Sequence, residues 1–341
     1  MRYYDLTILD ESGKAIRHYG SLANGVYDPG ALMIEFDIQR FGESTPQGGS
    51  HVTLWGISQK EMQQATQDLF NKRMRLRAGM SAGLPLANPA QQSIILDGYI
   101  WQVYGNWIGT EIRLDFVVMP GPSVGQNGAA LPAINLTLPW NKGTELSVAL
   151  TQCFQTLNKF AFDINISDRL VNNYDYPMFC GSLSEMAISL NAISKSIITM
   201  PGYKGVDIVM VSADKIRVFD NANQLQLPST PGSAPVTQAK GDRIIQINPV
   251  DLVGQPTWVG FGTVSVQCVL RGDVMVGDAI RLPAQSRATL TDSSYSQYKN
   301  SVAFTGVFRV SSVRILGNSR QADGASWMTI IEAYPLLEKT A

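Results

Sequence analysis

The chain has 341 residues, of which 45% are hydrophobic and only 16% are charged. A chain of this length is expected to fold as two or three domains, and the small charged fraction is typical of a surface that is partly covered in an assembly. The net charge of -1 does not attract a polyanion. This argues against a protein that binds nucleic acid or an acidic membrane surface.

The cysteines and the N-terminus indicate the compartment. Cys153, Cys180 and Cys268 are widely spaced and form no C-x-x-C pair, so we expect buried thiols of a protein made in a reducing cytosol. The N-terminal stretch MRYYDLTILDESGK has no apolar core of signal-peptide length, and no apolar run in the sequence approaches the ~18 residues of a membrane-spanning helix. The sequence therefore predicts a soluble chain without membrane insertion.

The first third is predicted to be β-structure with one helix. Apolar residues occupy every second position from Leu32 to Ile38, which is the period of a strand with one buried face. Ser58 and Glu61 form an S-x-x-E capping box that predicts a short helix over residues 59–70. Further strands are predicted at residues 51–55, 73–78, 93–103 and 110–118.

The middle third has a different character. Helical spacing of apolar residues predicts two helices, with Thr144 and Ser182 as their N-caps, and short strand patterns lie between and after them. Two Gly- and Pro-rich connectors, residues 119–139 and 227–241, flank this α+β region, and the last third is again mostly strand. The predicted domains are residues 1–125, 126–235 and 236–341.

The last third repeats a pattern of the first. In the first copy RLRAG leads to ILDGYIWQV and then to TEIRLDFVVMPG; in the second, AIRLP leads to AFTGVFRVSSV and then to ASWMTIIEAYPL. The matched positions are Gly98 with Gly306, Val103 with Val310 or Val313, and Pro120 with Pro335. The glycine-to-proline spans are 22 and 29 residues, and the extra seven fall in the turn GNSRQADGA. The alternative is coincidence, because alternating strands flanked by Gly and Pro look alike in any two β-domains.

Short catalytic motifs are absent. His18 and His51 are the only histidines, and the sequence contains no G-x-S-x-G elbow, H-E-x-x-H, P-loop or dinucleotide-binding fingerprint. The run GFGTV at residues 260–264 is interpreted as closely packed strand, and RGD at residues 271–273 as a turn between strands. We therefore predict no catalytic, cofactor-binding or metal-binding residue and no cofactor.

Two carboxylate pairs and the tryptophans leave other functions open. Asp5 with Asp10, or Asp273 with Asp278, could serve acid/base chemistry, although turn formation is the favoured interpretation. The six tryptophans lie mostly on or beside predicted strands, where core or subunit interface is the expected use. They are Trp55, Trp101, Trp107, Trp140, Trp258 and Trp327.

The C-terminal run from IIQINPVDLVGQPTWVGFG to the hairpin GVFRVSSVRILGNSRQADGASWMTIIEAYP resembles the hub proteins of contractile phage tail baseplates. The resemblance consists of a G-x-P step, a strand that leads to Gly-Asp, and a closing hairpin with spaced Val, Trp and Thr residues. The first third resembles the opening barrel of these hubs through LWGIS, LRAGM and IILDGYIWQV. The matching C-terminal residues are Gly254, Pro256, Leu270, Gly277, Asp278, Gly306, Val310, Val313, Trp327 and Thr329.

The resemblance implies a mainly β fold with two tail-tube-like β-barrels, each with a flanking helix, and a middle α+β region. It implies a structural, non-enzymatic hub in the tail baseplate of the virion, assembled in the host bacterial cytoplasm. Such a hub joins the hexameric tail tube to the central spike and continues the channel. The expected partners are further copies in a homotrimer, the tail tube or tube-initiator protein, the spike and neighbouring baseplate proteins, with DNA only as passing cargo.

Two alternatives stay open at this point. The chain could be a tail-associated cell-wall hydrolase, since paired carboxylates on a β-scaffold can be catalytic without a short motif. It could also be a receptor- or carbohydrate-binding tail module, which would need exposed tryptophans in a groove. Within the hub hypothesis, the polar tip GNSRQADGA is expected to reach an adjacent ring or another partner.

Overall fold

The computed structural model describes residues 2–42, 49–80, 88–121, 135–157, 160–222, 244–260, 262–283 and 306–337. Within these residues the fold is mainly β, with one large antiparallel sheet and three α-helices. No helix of the described part is long and apolar enough to cross a membrane. The predicted domain boundaries, at residues 125/126 and 235/236, lie outside the described residues.

The first third follows its sequence pattern closely. In β5, Ile34, Phe36 and Ile38 are buried and alternate with more exposed neighbours. Helix α1 begins after Ser58, whose Oγ accepts a hydrogen bond from the backbone N–H of Glu61 at 3.2 Å. The elements are β1 (Arg2–Leu9), β2 (Ala15–Gly20), β3 (Leu22–Ala23), β4 (Val26–Tyr27), β5 (Met33–Arg40), β6 (Ser50–Trp55), α1 (Gln59–Asp68), β7 (Arg73–Met80), β8 (Ser93–Ile108) and β9 (Glu111–Met119).

The middle region is α+β, as predicted, with a core of its own. Ser182 caps its helix, since its Oγ accepts from the N–H of Glu185 at 3.1 Å. Thr144 as an N-cap is wrong: the cap is Glu145, and the Thr144 carbonyl instead accepts a bond from Trp140 Nε1. The elements are β10 (Leu136–Trp140), α2 (Leu146–Gln155), β11 (Ala161–Asn165), β12 (Tyr176–Cys180), α3 (Leu183–Ile197), β13 (Asp207–Ser212) and β14 (Lys215–Phe219).

The last third contains six strands among its described residues. Between β17 and β18, the position equivalent to that of α1, residues 270–278 form turns and no helix. The strands are β15 (Ile244–Gln246), β16 (Thr257–Gly260), β17 (Thr263–Val269), β18 (Ala279–Arg281), β19 (Val307–Asn318) and β20 (Trp327–Pro335).

The first and last thirds share one sheet and one core. The strand order is β16-β17-β20-β19-β5-β6-β9-β8-β7-β1-β2, with β18 beside β19 and β15 beside β18. Apolar residues from both thirds enter the same buried cluster; the rings of Phe36 and Trp327, for example, have centroids 5.3 Å apart. The middle region has separate sheets, β10-β12 and β11-β14-β13.

Candidate assembly interface

The carboxylates considered for acid/base chemistry are all used in local structure. Asp5 contacts His18 at 3.0 Å, and Asp10 accepts bonds from the backbone of Ser12 and Lys14 in an exposed turn. Asp273 forms a two-point ion pair with Arg271. In the described parts of the chain, no group of three or more His, Cys, Asp or Glu side chains is arranged to hold a metal ion.

Asp278 caps the turn before β18. Its Oδ2 accepts from the backbone N–H of Met275 at 2.8 Å, and its Oδ1 accepts from Arg217 Nη1 at 2.8 Å. The side chain is only 12% exposed, so these bonds are shielded from water. The carboxylate therefore fastens this turn to the middle region.

We expect Asp278→Ala to lower the free energy of unfolding by about 2 kcal/mol, the scale of a lost cap and a charged hydrogen bond. Urea denaturation measures the loss. Asp10→Ala, which removes an exposed turn-capping carboxylate, is the matched control and should have a clearly smaller effect. Equal losses for the two variants would contradict this role of Asp278.

The RGD tripeptide is buried instead of displayed. Arg271 is 3% exposed and pairs with Asp273 and with Asp251. The backbone N–H of Gly272 donates to the carbonyl of Gln91 in the first third at 2.9 Å. The predicted turn between strands is confirmed, and it lies at the junction of the first and last thirds.

The cysteines are buried and free of disulfides among the described residues. Burial raises the pKa of the Cys268 thiol to about 12 and that of Cys153 to about 11. A thiol with such a pKa is almost entirely protonated at neutral pH and is a poor nucleophile. These residues therefore pack as small apolar side chains.

The pairing order of the strands repeats in the two outer thirds. The first third contains β5-β6-β9-β8-β7, and the last third contains β16-β17-β20-β19-β18 in the same order. In both units the first two strands form a hairpin, and the second of them (β6 or β17) pairs with the last strand of the unit (β9 or β20). That last strand pairs with a long strand (β8 or β19), and the beginning of the long strand pairs with a shorter one (β7 or β18). We call these two five-strand sets the repeat units.

A β-bulge occurs at the same place in both units. In β8 the register shifts after Ile100, which leaves Trp101 as the extra residue opposite β9. In β19 the register shifts after Val310, which leaves Ser311 as the extra residue opposite β20. A bulge is a specific feature of strand geometry. Because both units have one at the same place, the two bulge residues can be matched, and this match aligns the units residue by residue.

The turn that precedes the short strand also repeats. Asn71 and Gly277 both adopt a left-handed backbone, with φ of 58° and 85°. The N–H of Asn71 donates to the carbonyl of Ile100, and that of Gly277 donates to the carbonyl of Val310. In each unit, therefore, a left-handed residue joins the turn to the residue just before the bulge.

Gly277→Ala should destabilise the fold by about 3 kcal/mol, because it adds backbone strain and overpacking together. A Cβ there would lie 2.7 Å from the Phe219 ring. Gly254→Ala is the control, since Gly254 has the same φ, within a degree or so, but open space around it; backbone strain alone should cost about 1 kcal/mol. Chemical denaturation measures how much free energy of unfolding each variant loses. Equal losses for the two variants would show that a Cβ on residue 277 does not collide with Phe219.

The bulges correct the sequence alignment of the repeat. Val103 matches Val313, which was one of the two predicted choices, and Pro120 matches Pro335. Gly98, however, corresponds to Phe308 and not to Gly306. The span from bulge residue to proline is 19 residues in one unit and 24 in the other, so the second hairpin is longer by five residues and not by seven.

The two units meet through one strand pair, which we call the intrachain seam. It consists of residues 313–318 of β19 and residues 35–40 of β5, paired antiparallel from Val313 opposite Arg40 to Asn318 opposite Glu35. Arg314 donates two hydrogen bonds to the Asp37 carboxylate, at 2.9 and 2.7 Å, and they hold the pKa of Asp37 below its usual value. The seam makes the two units one continuous sheet.

The polar tip of the last hairpin folds onto the first third of the same chain. The N–H of Ser319 donates to the carbonyl of Ile34 at 2.9 Å, and Arg320 Nη2 donates to the carbonyl of Ala31 at 2.6 Å. Arg2 donates to the carbonyl oxygens of Asn318, Gln321 and Asp323. The polar groups of this tip therefore extend the intrachain seam, and the expectation that the tip reaches an adjacent ring or another partner stays a prediction.

Three of the six tryptophans lie along two strand edges. Trp101 and Trp107 are on β8 and Trp258 is on β16, whereas Trp140 and Trp327 are buried. We call residues 101–108 the β8 edge and residues 257–260 the β16 edge. The large apolar side chains exposed there are Trp101, Tyr104, Trp107 and Ile108 on the β8 edge, and Trp258 and Val259 on the β16 edge.

The residues that carry the resemblance to tail hubs are mostly positions of the core and of turns. Leu270, Val310, Val313 and Thr329 are fully buried, and Trp327 is nearly so. The sequence pattern placed these residues on or beside strands but contains no signal for the seam, whose paired residues lie 273 to 283 positions apart.

No family model matches the chain, and no curated protein matches it. The solved structures that align with it include two that are covered over nearly their full lengths. The tail protein from Neisseria meningitidis MC58 has 10% sequence identity and a TM-score of 0.43, and the alignment covers 98% of this chain and 96% of that one.

The second structure is the 43 kDa tail protein of prophage MuSo2 from Shewanella oneidensis. It has 8% identity and a TM-score of 0.45, with 98% of this chain and 97% of that chain covered. These identities and TM-scores are too low to assign the chain to a family.

Proposed function

We propose that the chain is a structural hub protein of a contractile phage tail, in which three copies form a ring between the tail tube and the central spike. Each repeat unit is then one tail-tube-like barrel, completed by its neighbours in the ring. Three chains with two units each present six similar units to a hexameric tube and three copies of the middle region to the spike. The partners are the tube or its initiator, the spike and neighbouring baseplate proteins.

The observation that carries this proposal is the intrachain seam between two equivalent units. Units that repeat in strand order, bulge and turn, and that join edge to edge, are suited to continue around a ring. Ring closure leaves no open edge to start a filament. The residue pattern that resembles tail hubs adds the location in the virion and the passage of DNA through the channel.

The alternatives are less well supported by the side chains. The carboxylates considered for a cell-wall hydrolase are committed to turns and ion pairs. A carbohydrate-binding module would need its tryptophans in a groove, but Trp107 and Trp258 lie on strand edges. We therefore propose a structural protein and not an enzyme.

Three experiments test the proposal. The mass of the purified full-length chain in solution should correspond to a trimer, and the tagged chain in tails isolated from the virus that encodes it should lie at the end of the tube. A stable monomer or dimer across the accessible concentration range, or a label elsewhere on the particle, would contradict it. Incubation with purified cell wall should release no soluble fragments; release of fragments would favour the hydrolase.

A further inference from the structure

A small cavity lies where the first repeat unit meets the middle region. Its volume is about 30 Å³, which admits one small ion or about two water molecules. Strands β5, β6, β8 and β9 form most of the wall, and β13 of the middle region closes it. The lining residues that matter below are Arg40, Ser50 and Asp97 from the first repeat unit and Met210, Val211 and Ser212 from β13.

Arg40 places a positive charge at this cavity. In β5 the side chains of Ile34, Phe36 and Ile38 are buried in alternation, and Arg40 continues that series at the end of the strand. A guanidinium has five N–H donors. Among the described residues, the carbonyl of Ile95, at 2.6 Å from Nη2, is the one acceptor that the Arg40 side chain bonds. Burial lowers the pKa of the Arg40 guanidinium to about 10, so the group stays charged at neutral pH.

Asp97 also lines the cavity, but its charge is already compensated. It attracts Arg40, yet its carboxylate accepts two bonds from Arg73, at 2.6 and 2.7 Å, and Arg75 Nη2 lies 3.5 Å away. Arg73 also contacts Asp214 at 3.1 Å. Three arginines against two aspartates leave the cluster with one positive charge in excess. A buried cation without a counter-ion is unfavourable, so the cavity is suited to a small anion.

The rest of the wall supports anion binding. Ser50 is 6% exposed and lies on the buried face of β6, which makes its hydroxyl available as a donor at the cavity. The Ser212 hydroxyl is already used, because it donates to Asp214 at 2.7 Å. Met210 and Val211 cover the cavity with apolar groups. A charge-assisted hydrogen bond is stronger where such groups exclude water.

We propose that this cavity binds one small monovalent anion, of the size of chloride, through the guanidinium of Arg40 and the hydroxyl of Ser50. The anion supplies the counter-charge that the arginine cluster lacks. Because the wall comes from both the first repeat unit and β13, the site is complete only when the middle region is packed against that unit. Bound anion therefore stabilises this packing. The inference concerns the interior of one chain and does not depend on the proposed ring or on its place in a tail.

Thermal unfolding in different salts tests the site. The melting temperature of the full chain is measured at neutral pH and constant ionic strength in sodium gluconate, with increasing replacement of gluconate by chloride. Gluconate is too large for a cavity of about 30 Å³. Chloride should raise the melting temperature by about 3 °C and then saturate, which is the scale for a ligand at about ten times its Kd. Equal melting temperatures in chloride and gluconate would overturn the proposal.

Two variants connect the chloride effect to the cavity. Arg40→Met keeps the length of the side chain but removes its charge, so the difference between chloride and gluconate should disappear, whatever the stability of the variant in gluconate alone. Ser50→Ala removes a donor and should shift saturation to about tenfold higher chloride; it provides the test if Arg40→Met does not fold. Arg77→Met, at an exposed arginine of β7, is the matched control and should keep the full effect. A chloride effect unchanged in Arg40→Met, or in Ser50→Ala where only that variant folds, would contradict the assignment.

Bromide locates the anion directly, because it replaces chloride and scatters X-rays anomalously. Crystals of the full chain that contain bromide should show an anomalous peak in the cavity, beside the guanidinium of Arg40. Crystals of Arg40→Met under the same conditions should lack that peak. A cavity that holds only water in the presence of bromide, or that is filled by another side chain of the protein, would overturn the proposal.

Discussion

Replacement of Arg271 by alanine is expected to lower the free energy of unfolding by about 4 kcal/mol, which is the scale for breaking a buried ion pair. The guanidinium donates to Asp273 at 2.8 and 2.9 Å and to Asp251 at 3.2 Å, with only 3% of the side chain exposed. Its removal leaves two largely buried carboxylates without their cation. Asp251 also accepts from Gln91 in the first third, so the loss should loosen the junction between the repeat units.

Arg314→Ala is the matched control for this prediction. Arg314 makes the same two-point contact with a carboxylate, that of Asp37, but is 47% exposed, so its loss should cost at most about 1 kcal/mol. Because Arg314 lowers the pKa of Asp37, its contribution is present above the unfolded-state pKa of the carboxyl and is lost as the pH falls through the folded-state pKa. Urea denaturation at neutral pH should separate the two variants clearly; similar losses would contradict the role of burial.

Gly317→Ala is expected to cost about 3 kcal/mol through overpacking. A Cβ on Gly317 would collide with the end of the Phe36 ring. Phe36 packs against Trp327 and is almost fully buried, so the ring has little room to move. The variant should unfold at a lower urea concentration and weaken the intrachain seam.

Two variants control this second prediction. Gly324→Ala places the same methyl group at the tip of the same hairpin, where nothing lies within 4 Å, and should change stability by less than about 0.5 kcal/mol. Phe36→Leu removes the colliding ring atoms, so the double variant with Gly317→Ala should be more stable than the sum of the single losses predicts. Simple additivity would show that the two residues do not interact.

Local patterns in the sequence predict the elements well. The alternation around Ile34 and Phe36 gives β5, the Ser58 cap gives α1, and the matched glycine, valine and proline positions of the two outer thirds indicate the repeat. These signals are local, because burial on one face and capping bonds involve neighbouring residues. The Gly98–Gly306 match fails because the alignment depends on a bulge, which a hydrophobic pattern does not encode.

The long-range features could not be predicted in the same way. Pairing of β19 with β5 depends on the register between remote strands, which no single segment specifies. For the same reason, the RGD tripeptide did not indicate that Arg271 is buried between the first and last thirds of the chain. The tryptophan positions predicted core or interface, but only the fold separates the buried Trp140 and Trp327 from Trp101, Trp107 and Trp258 on the edges.

Electron microscopy of the purified chain distinguishes a closed ring from other assemblies. We expect closed rings in end-on views, with threefold symmetry, six similar lobes around a channel and the middle regions placed once per chain. Single-chain particles, twofold dimers without a channel, or open filaments, at concentrations where the protein is soluble and folded, would contradict it.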